Sequence, residues 1–204
     1  MLKMFFFYIL YLNVIINPMY QPNFMIDIET LSTRSNATIV SIGAIKFDRK
    51  NPTPELKDMK TFYTKIDIDS CKEKGMHVDD STIQWWGKQD PQIRWEALEN
   101  KDGRVSINEA LQTLRDFIEH NSEKAPLIWA NGDDFDCVIL AEAFRLCYMP
   151  TPWKFWDTRD VRTVLDLAGI KQYQLPKVDK HHPVNDCWRQ IYGIKKGFDN
   201  LGLK

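Results

Sequence analysis

Cysteine is scarce in this sequence, and its few cysteines are not arranged to bind metal. Cys71, Cys137, Cys147 and Cys187 form no CxxC pair and stand at no His/Cys spacing typical of zinc ligands. Zinc is therefore not expected, and the simplest interpretation is four reduced, buried thiols. Reduced thiols are typical of a protein that works in the cytoplasm.

An excess of either charge is also lacking. The 204 residues include 27 lysines and arginines and 28 aspartates and glutamates, for a formal net charge of −1. This balance excludes a broad basic surface that coats nucleic acid, but it leaves room for a local cationic groove that holds a few nucleotides. The length predicts one main domain, and we find no internal repeat or low-complexity segment.

Long apolar runs are missing too. The one apolar stretch, residues 4–16, is shorter than the ~20 residues of a membrane-spanning helix, and no signal-peptide cleavage site follows it. Three interpretations of residues 1–22 stay open: an uncleaved anchor, an extra element packed on the domain, or an upstream extension translated from a start codon ahead of Met19 or Met25. We favour the extension, because the first predicted core strand needs nothing before it.

Residues 24–29 have the alternation of a β-strand with two acids on one face. Asp27 and Glu29 point to one side of the sheet, and the apolar residues between them point to the other. Two neighbouring carboxylates repel each other, and burial raises this cost unless a cation lies between them. The pair therefore predicts a divalent metal site.

The remaining patterns predict an α/β fold. The predicted strands are 24–29, 37–48, 62–66, 126–130 and 153–156. Helices are predicted after the caps Asp79, Asp90 and Ser106, over 136–146 and 160–168, and from Pro183 to a stop at Gly193. This order indicates a mixed five-stranded sheet with helices on both faces.

Further acids stand at the ends of predicted elements. Asp136 follows the strand at 126–130, and Asp186 lies in the first turn of the last helix, five residues after His181. Taken singly, Asp136 is as well explained as a helix cap and Asp186 as an acid facing the helix dipole. Together with Asp27 and Glu29, they indicate a catalytic site instead.

The acids and the blocks around them resemble the DEDDh branch of the DnaQ-like 3′-5′ exonucleases, which have the ribonuclease H-like fold. Within that branch, the chain is most similar to the group of the phage exonuclease DexA, the nuclease domain of exonuclease VIII and the mycobacterial-type exoribonucleases. The resemblance covers about residues 23–193, which leaves 194–204 as a C-terminal tail. It is carried by these blocks: Asp27-Ile28-Glu29-Thr30, Gly75-Met76, Trp85-Trp86, Trp129 to Asp136, Arg159-Asp160-Val161-Arg162-Thr163, and His181 to Asp186.

The resemblance implies a metal-dependent catalytic set. It assigns two divalent cations, Mg²⁺ or Mn²⁺, to Asp27, Glu29, Asp136 and Asp186, and the general base to His181. Carboxylate oxygens suit such hard ions, and two ions can stabilise both the attacking and the leaving oxygen at a phosphate. The resemblance further implies that Thr30 and Leu31 contact the terminal nucleotide.

There is a second candidate for the third metal-binding acid. Asp133 and Asp134 precede Phe135, where relatives usually carry small or neutral residues, so Asp134 is an alternative metal ligand. We prefer Asp136 because it follows the phenylalanine, as in the family pattern.

There is also a second candidate for the general base. His182 would share a helical face with Asp186 if the last helix began early. Pro183 is better placed as the first helical residue, however, which puts both histidines ahead of the helix. In similar enzymes the base precedes the last acid by five residues, and this spacing favours His181.

For two pairs of side chains, a structural role and a role in substrate binding both stay open. Trp85 and Trp86 have the rings to stack on unpaired bases, but adjacent tryptophans on a short helix more often pack a core, which we prefer. Arg159 and Arg162 are equally compatible with a phosphate contact and with an ion pair at a helix start.

The function that the resemblance implies is hydrolysis of phosphodiester bonds from the 3′ end of single-stranded nucleic acid. The phage-like relatives favour DNA slightly over RNA as the partner; no protein partner is implied, and a homodimer is left open. One alternative is a catalytically inactive ribonuclease H-like module that binds nucleic acid, against which the complete acid set argues. Another is a membrane-attached protein located by its first 16 residues.

Overall fold

The computed structural model describes residues 21–49, 55–178 and 181–203. The apolar stretch at 4–16, for which three interpretations were left open, lies outside these residues. Of the helices in the described ranges, none combines the length and the apolar content that crossing a membrane requires.

A mixed sheet forms the centre of the fold. Its strands are β1 (Asn23–Thr30), β2 (Ile39–Phe47), β3 (Lys60–Ile66), β4 (Arg104–Val105), β5 (Leu127–Ala130) and β6 (Thr158–Asp160). Their order across the sheet is β4-β3-β2-β1-β5-β6. The first three strands form an antiparallel meander, and β5 runs parallel to β1.

The prediction of five strands is wrong in two places. The described residues form six strands, because β4 pairs with β3 over two residues, which is too short to leave a periodic pattern. The strand predicted at 153–156 is displaced along the chain. Phe155–Asp157 forms a 3-10 turn, and the edge strand begins at Thr158.

Seven α-helices surround the described sheet. They are α1 (Ile68–Glu73), α2 (Asp80–Trp86), α3 (Pro91–Arg94), α4 (Ile107–His120), α5 (Asp133–Leu146), α6 (Val161–Leu167) and α7 (Pro183–Asn200). The predicted caps are confirmed, since the side chains of Asp79, Asp90 and Ser106 each accept a hydrogen bond from a first-turn N–H. The helix predicted from Asp136 begins earlier, at Asp133, because Gly132 ends the turn before it with a φ of 107°.

The predicted end of the last helix is wrong, because α7 continues past Gly193. The glycines in this part of α7 instead allow it to pack closely on α6. A Cβ added to Gly197, one turn further on, would lie 2.8 Å from Val164 Cγ1. The segment expected as a tail, 194–204, therefore supplies Ile194 to the core.

Two apolar cores lie on opposite faces of the sheet, which confirms the prediction of helices on both faces. One contains Phe24, Ile26 and Ile28 of β1 with residues of α4 and α5, and the other contains Met25 with residues of α6 and α7. The alternation predicted for β1 is therefore confirmed. It turns the Asp27 side chain toward α7.

Candidate active site

Three carboxylates converge at the carboxyl end of β1. Asp27 and Glu29 come from the strand, and Asp186 comes from the first turn of α7. One oxygen from each lies within 4.8 Å of the others. Side chains far apart in the sequence thus form a compact, negatively charged group.

Asp136 lies beside this group but outside its tightest cluster. It projects from the first turn of α5, is buried, and its Oδ1 accepts a hydrogen bond of 3.0 Å from the Ile28 backbone N–H. Its charge raises the pKa of both Asp27 and Glu29. The alternative ligand Asp134 is exposed, whereas Asp136 is buried near the other acids; the choice of Asp136 as the third acid stays a prediction.

Burial and mutual repulsion disfavour the ionised forms of these acids. Burial is the larger cause and the neighbouring carboxylates add to it, which raises the pKa of Glu29 to about 8 and that of Asp27 well above its usual range. Burial likewise raises the pKa of Asp136 to about 7, and it raises the pKa of Asp186. A divalent cation would relieve both causes, so these four residues fit a hard metal ion coordinated by oxygen.

Gln190 on α7 forms a hydrogen bond with Asp27, the first of the four acids. Its Nε2 donates a hydrogen bond of 2.8 Å to Asp27 Oδ1, and the residue is buried. The sequence interpretation missed it. Its spacing of four residues from Asp186 was the available signal, because such residues share one face of a helix.

Gly43 allows α7 to approach the acids. It pairs directly with Asp27 across β1 and β2, and a Cβ at this position would lie 2.6 Å from Pro183 Cβ. A side chain here would push the start of α7 away from the sheet. The sequence interpretation missed this residue too, because its partner is 140 positions away.

The two histidines face different neighbours. The His181 backbone N–H donates to Asp186 Oδ2 at 2.9 Å, and its Nδ1 lies 3.8 Å from Glu29 Oε1. His182 occupies the cap position before Pro183, as predicted, and its ring stacks on Tyr63. His181 is thus the histidine whose ring lies beside Glu29, and its role as the base stays a prediction.

A cavity of about 450 Å³ opens beside Glu29 and Thr30. The other residues that line it are Ile28, Thr33, Ser81, Thr82, Trp85 and Phe135. Leu31 does not line this cavity: it is 3% exposed, and it packs in a small core with Val40. Contacts of Thr30 and Leu31 with a substrate stay predictions.

The adjacent tryptophans have separate roles. Trp86 is buried, as preferred, and its Nε1 donates to the Thr30 carbonyl at 3.0 Å. Trp85 is 42% exposed and lines the cavity, and its ring lies edge-on to that of His181 at 5.1 Å. An exposed ring beside the acids is suited to stacking on a base.

The two arginines also differ. The Arg159 guanidinium donates to the carbonyls of Trp156 and Thr158. Arg162 is exposed, its guanidinium lies against Gly132, and its charge only partly offsets the rise that burial causes in the pKa of Asp136. Within the described ranges neither arginine forms an ion pair with a carboxylate.

The known proteins that this chain is similar to in sequence are nucleases. A profile of the 3'-5' exoribonuclease Rv2179c-like domain matches residues 22–195. An exodeoxyribonuclease of Enterobacteria phage T4 is 28% identical over 202 residues, which cover 85% of this chain and 87% of the phage protein.

Similar solved structures share the fold. The zinc-bound complex of E. coli ExoI with ssDNA has a TM-score of 0.57 at 15% identity, covering 85% of this chain and 39% of that chain. E. coli Exonuclease I with a dT13 oligonucleotide has a TM-score of 0.55 at 16% identity, covering 86% of this chain and 40% of that chain. This chain thus spans about two fifths of the length of those proteins. The likeness confirms the predicted ribonuclease H-like α/β fold.

Proposed function

The chain belongs to the family of the 3'-5' exoribonuclease Rv2179c-like domain, and from that premise we propose that it hydrolyses single-stranded DNA from the 3′ end with two divalent cations and a histidine base. It is a DnaQ-like 3′-5′ exonuclease. The observation that carries the proposal is the group of Asp27, Glu29 and Asp186 oxygens within 4.8 Å of one another, with the His181 ring beside it.

The divalent metal that the family implies is assigned to the four acids. When bound, two Mg²⁺ or Mn²⁺ ions would stabilise the charge that develops on the scissile phosphate and lower the pKa of the attacking water. The chain holds the acids for this task through three contacts. Gln190 orients Asp27, the Ile28 N–H orients Asp136, and the His181 N–H orients Asp186.

His181 is assigned as the general base. Its neutral imidazole can accept the proton that water loses as the water oxygen attacks phosphorus. Glu29 Oε1 lies 3.8 Å from Nδ1, close enough to stabilise the imidazolium that forms. The bond from phosphorus to the 3′ oxygen of the preceding nucleotide breaks, that oxygen takes a proton from water and becomes the new 3′-hydroxyl of the shortened strand, and the terminal nucleotide leaves with the phosphate.

The terminal nucleotide is assigned to the cavity beside Glu29 and Thr30. Trp85 presents its exposed ring there, and base stacking on an aromatic ring tolerates any sequence. Arg162, next to Asp136, is placed to contact a substrate phosphate. We also propose that the nuclease domain runs from residue 22 through the end of α7, because the family match ends within that helix.

DNA is the favoured substrate because the T4 relative is an exodeoxyribonuclease, and the similar ExoI structures hold ssDNA or a dT13 oligonucleotide. The family description as an exoribonuclease makes RNA the second candidate. Both polymers present the same scissile phosphate, and only the 2′-hydroxyl distinguishes them at a given position.

The test uses single-stranded DNA and RNA oligonucleotides of one sequence, labelled at either the 3′ or the 5′ end. With Mg²⁺ or Mn²⁺, we expect a 3′ label to appear first as mononucleotide, a 5′ label to appear as a ladder of shortening chains, and both to stop in EDTA. Faster cleavage of DNA than of RNA supports the preferred substrate, and the reverse order selects RNA. Binding without metal-dependent release of nucleotides would instead support the inactive module.

A further inference from the structure

Three residues form one row across the sheet beneath the start of α7. Asp27 of β1 pairs with Gly43 of β2, and Gly43 pairs in turn with Tyr63 of β3. Directly paired residues on neighbouring strands point to the same face. The Asp27 carboxylate and the Tyr63 ring therefore flank the gap that Gly43 leaves.

The first turn of α7 fills this gap. An added Cβ on Gly43 would lie 2.6 Å from Pro183 Cβ and 2.7 Å from the Val184 nitrogen. The position of the helix start along the row is thus set by direct backbone packing. The acid is on one side of it and the tyrosine is on the other.

Tyr63 contacts the residue just ahead of the helix. Its ring stacks on the His182 imidazole with centroids 4.6 Å apart and an interplanar angle of 27°. Burial and the nearby Glu96 carboxylate raise the pKa of Tyr63 to about 12, so the phenol stays neutral in ordinary assays. The contact is therefore one of ring faces, which a phenylalanine can also make.

The next residue back along the chain is His181, and its backbone is unusual. Its φ of 63° lies in the left-handed region, which residues with a Cβ seldom adopt. Such a conformation persists only where the surroundings hold it. The described contacts around it include the hydrogen bond from its own N–H to Asp186, the stacking of the neighbouring His182 on Tyr63, and the edge-on contacts of its ring with Trp85 and Trp86.

We propose that Tyr63 is a positioning residue for the general base: by stacking on His182, it holds the preceding left-handed residue so that the His181 ring faces Glu29. This inference rests on the proposed role of His181. It gives the second histidine a role as well, since His182 is the anchor of the turn and His181 is the group that takes the proton. Tyr63 itself has no contact with the reacting atoms in this account.

The test compares aromatic and aliphatic replacements of the two stacked residues, Tyr63 and His182. The variants are Tyr63→Phe, Tyr63→Leu, His182→Leu and the double variant Tyr63→Leu/His182→Leu, assayed for kcat and KM on a 3′-labelled oligonucleotide at saturating Mn²⁺. We expect the leucine variants to lower kcat by roughly threefold to tenfold, because small displacements of a catalytic group are costly, with KM nearly unchanged. Tyr63→Phe should keep the wild-type kcat, and the double variant should be no worse than either single one.

Tyr192→Leu is the matched control. Tyr192 is 37% exposed, close to the 39% of Tyr63, and its ring pairs with Trp188 within α7. It should leave kcat unchanged. If Tyr63→Leu does not fold, His182→Leu alone decides by the same criteria.

A variant made in the His181→Ala protein distinguishes a failure of this inference from a failure of the proposed function. In His181→Ala, adding Tyr63→Leu should not lower the residual rate, because the positioned group is gone. If His181→Ala keeps full activity, the assignment of the base fails. If His181→Ala is inactive but Tyr63→Leu retains the wild-type kcat, or Tyr63→Phe is as impaired as Tyr63→Leu, only the positioning role is overturned.

Discussion

The backbone N–H of His181 donates a hydrogen bond to Asp186 Oδ2 at 2.9 Å, so the proposed base and the last acid belong to one turn. The same turn puts the His181 ring beside Glu29, which comes from the other end of the chain. The proposed metal binding by Asp186 and the position of the proposed base are therefore coupled through a single carboxylate.

Each of the four acids should be essential for turnover but not for folding. We expect Asp27→Asn, Glu29→Ala and Asp186→Asn to abolish nucleotide release while the melting temperature in EDTA stays equal or rises, because one of several repelling charges is removed and each asparagine keeps an acceptor for Gln190 Nε2 or the His181 N–H. Asp136→Asn is preferred to Asp136→Ala, since it keeps an acceptor for the buried Ile28 N–H. The control is Asp134→Ala, which should stay active. An inactive Asp134→Ala beside an active Asp136→Asn would move the third ligand to Asp134.

Gln190 should matter for metal affinity more than for the maximal rate. Its Nε2 orients Asp27, and loss of such a supporting hydrogen bond typically weakens metal binding by about 10- to 100-fold. Titration of Gln190→Leu with Mn²⁺, monitored by activity and by calorimetry, checks this. Gln112→Leu on the exposed side of α4 is the control. Unchanged Mn²⁺ affinity in Gln190→Leu would show that Asp27 needs no such support.

Trp85 should contribute to substrate binding. Stacking of a base on an aromatic ring is worth about 1–3 kcal/mol, so Trp85→Ala should raise KM by about fivefold or more, and Trp85→Phe should recover part of the loss. Trp95→Ala is the matched control, because Trp95 is 49% exposed and is not among the residues of the cavity beside Glu29. Equal effects of the two alanine variants on KM would remove Trp85 from the proposed nucleotide site.

The metal-free protein should lose stability as pH rises. The pKa of Glu29 is raised from 4.5 to about 8 in the folded chain. The folded state thus holds this proton more tightly than the unfolded state, and its stabilising effect is lost as pH rises between those values. In EDTA the melting temperature should fall across that window, and Glu29→Gln should flatten the fall. Added Mg²⁺ should stabilise most at the alkaline end. A melting temperature that rises across the window and is unaffected by Glu29→Gln would contradict this account of the acids.

Local signals were sufficient to predict much of the fold. The caps at Asp79, Asp90 and Ser106 each depend on a side chain and an N–H a few residues away, which a sequence displays directly. The shared face of Asp27 and Glu29 follows from strand alternation alone. The four acids, by contrast, were predicted as a set from the resemblance of whole blocks.

Contacts between distant residues could not be predicted in this way. The seat of Pro183 on Gly43 and the stack of His182 on Tyr63 join positions that no local pattern connects. Glycine is ambiguous for the same reason. Gly193 has the signal of a helix stop, yet it lies within a helix that packs closely on its neighbour.

The most direct test of the proposed site compares the two histidines in one assay. Release of a 3′ label is measured at saturating Mn²⁺ for wild type, His181→Ala and His182→Ala, with binding measured alongside. Loss of a general base costs about 10²- to 10⁴-fold in rate, so His181→Ala should lose at least about a hundredfold and still bind substrate with metal. His182→Ala should stay within about tenfold of wild type, because it loses only the anchor of the turn. The reverse order of severity would contradict the account and move the base to His182.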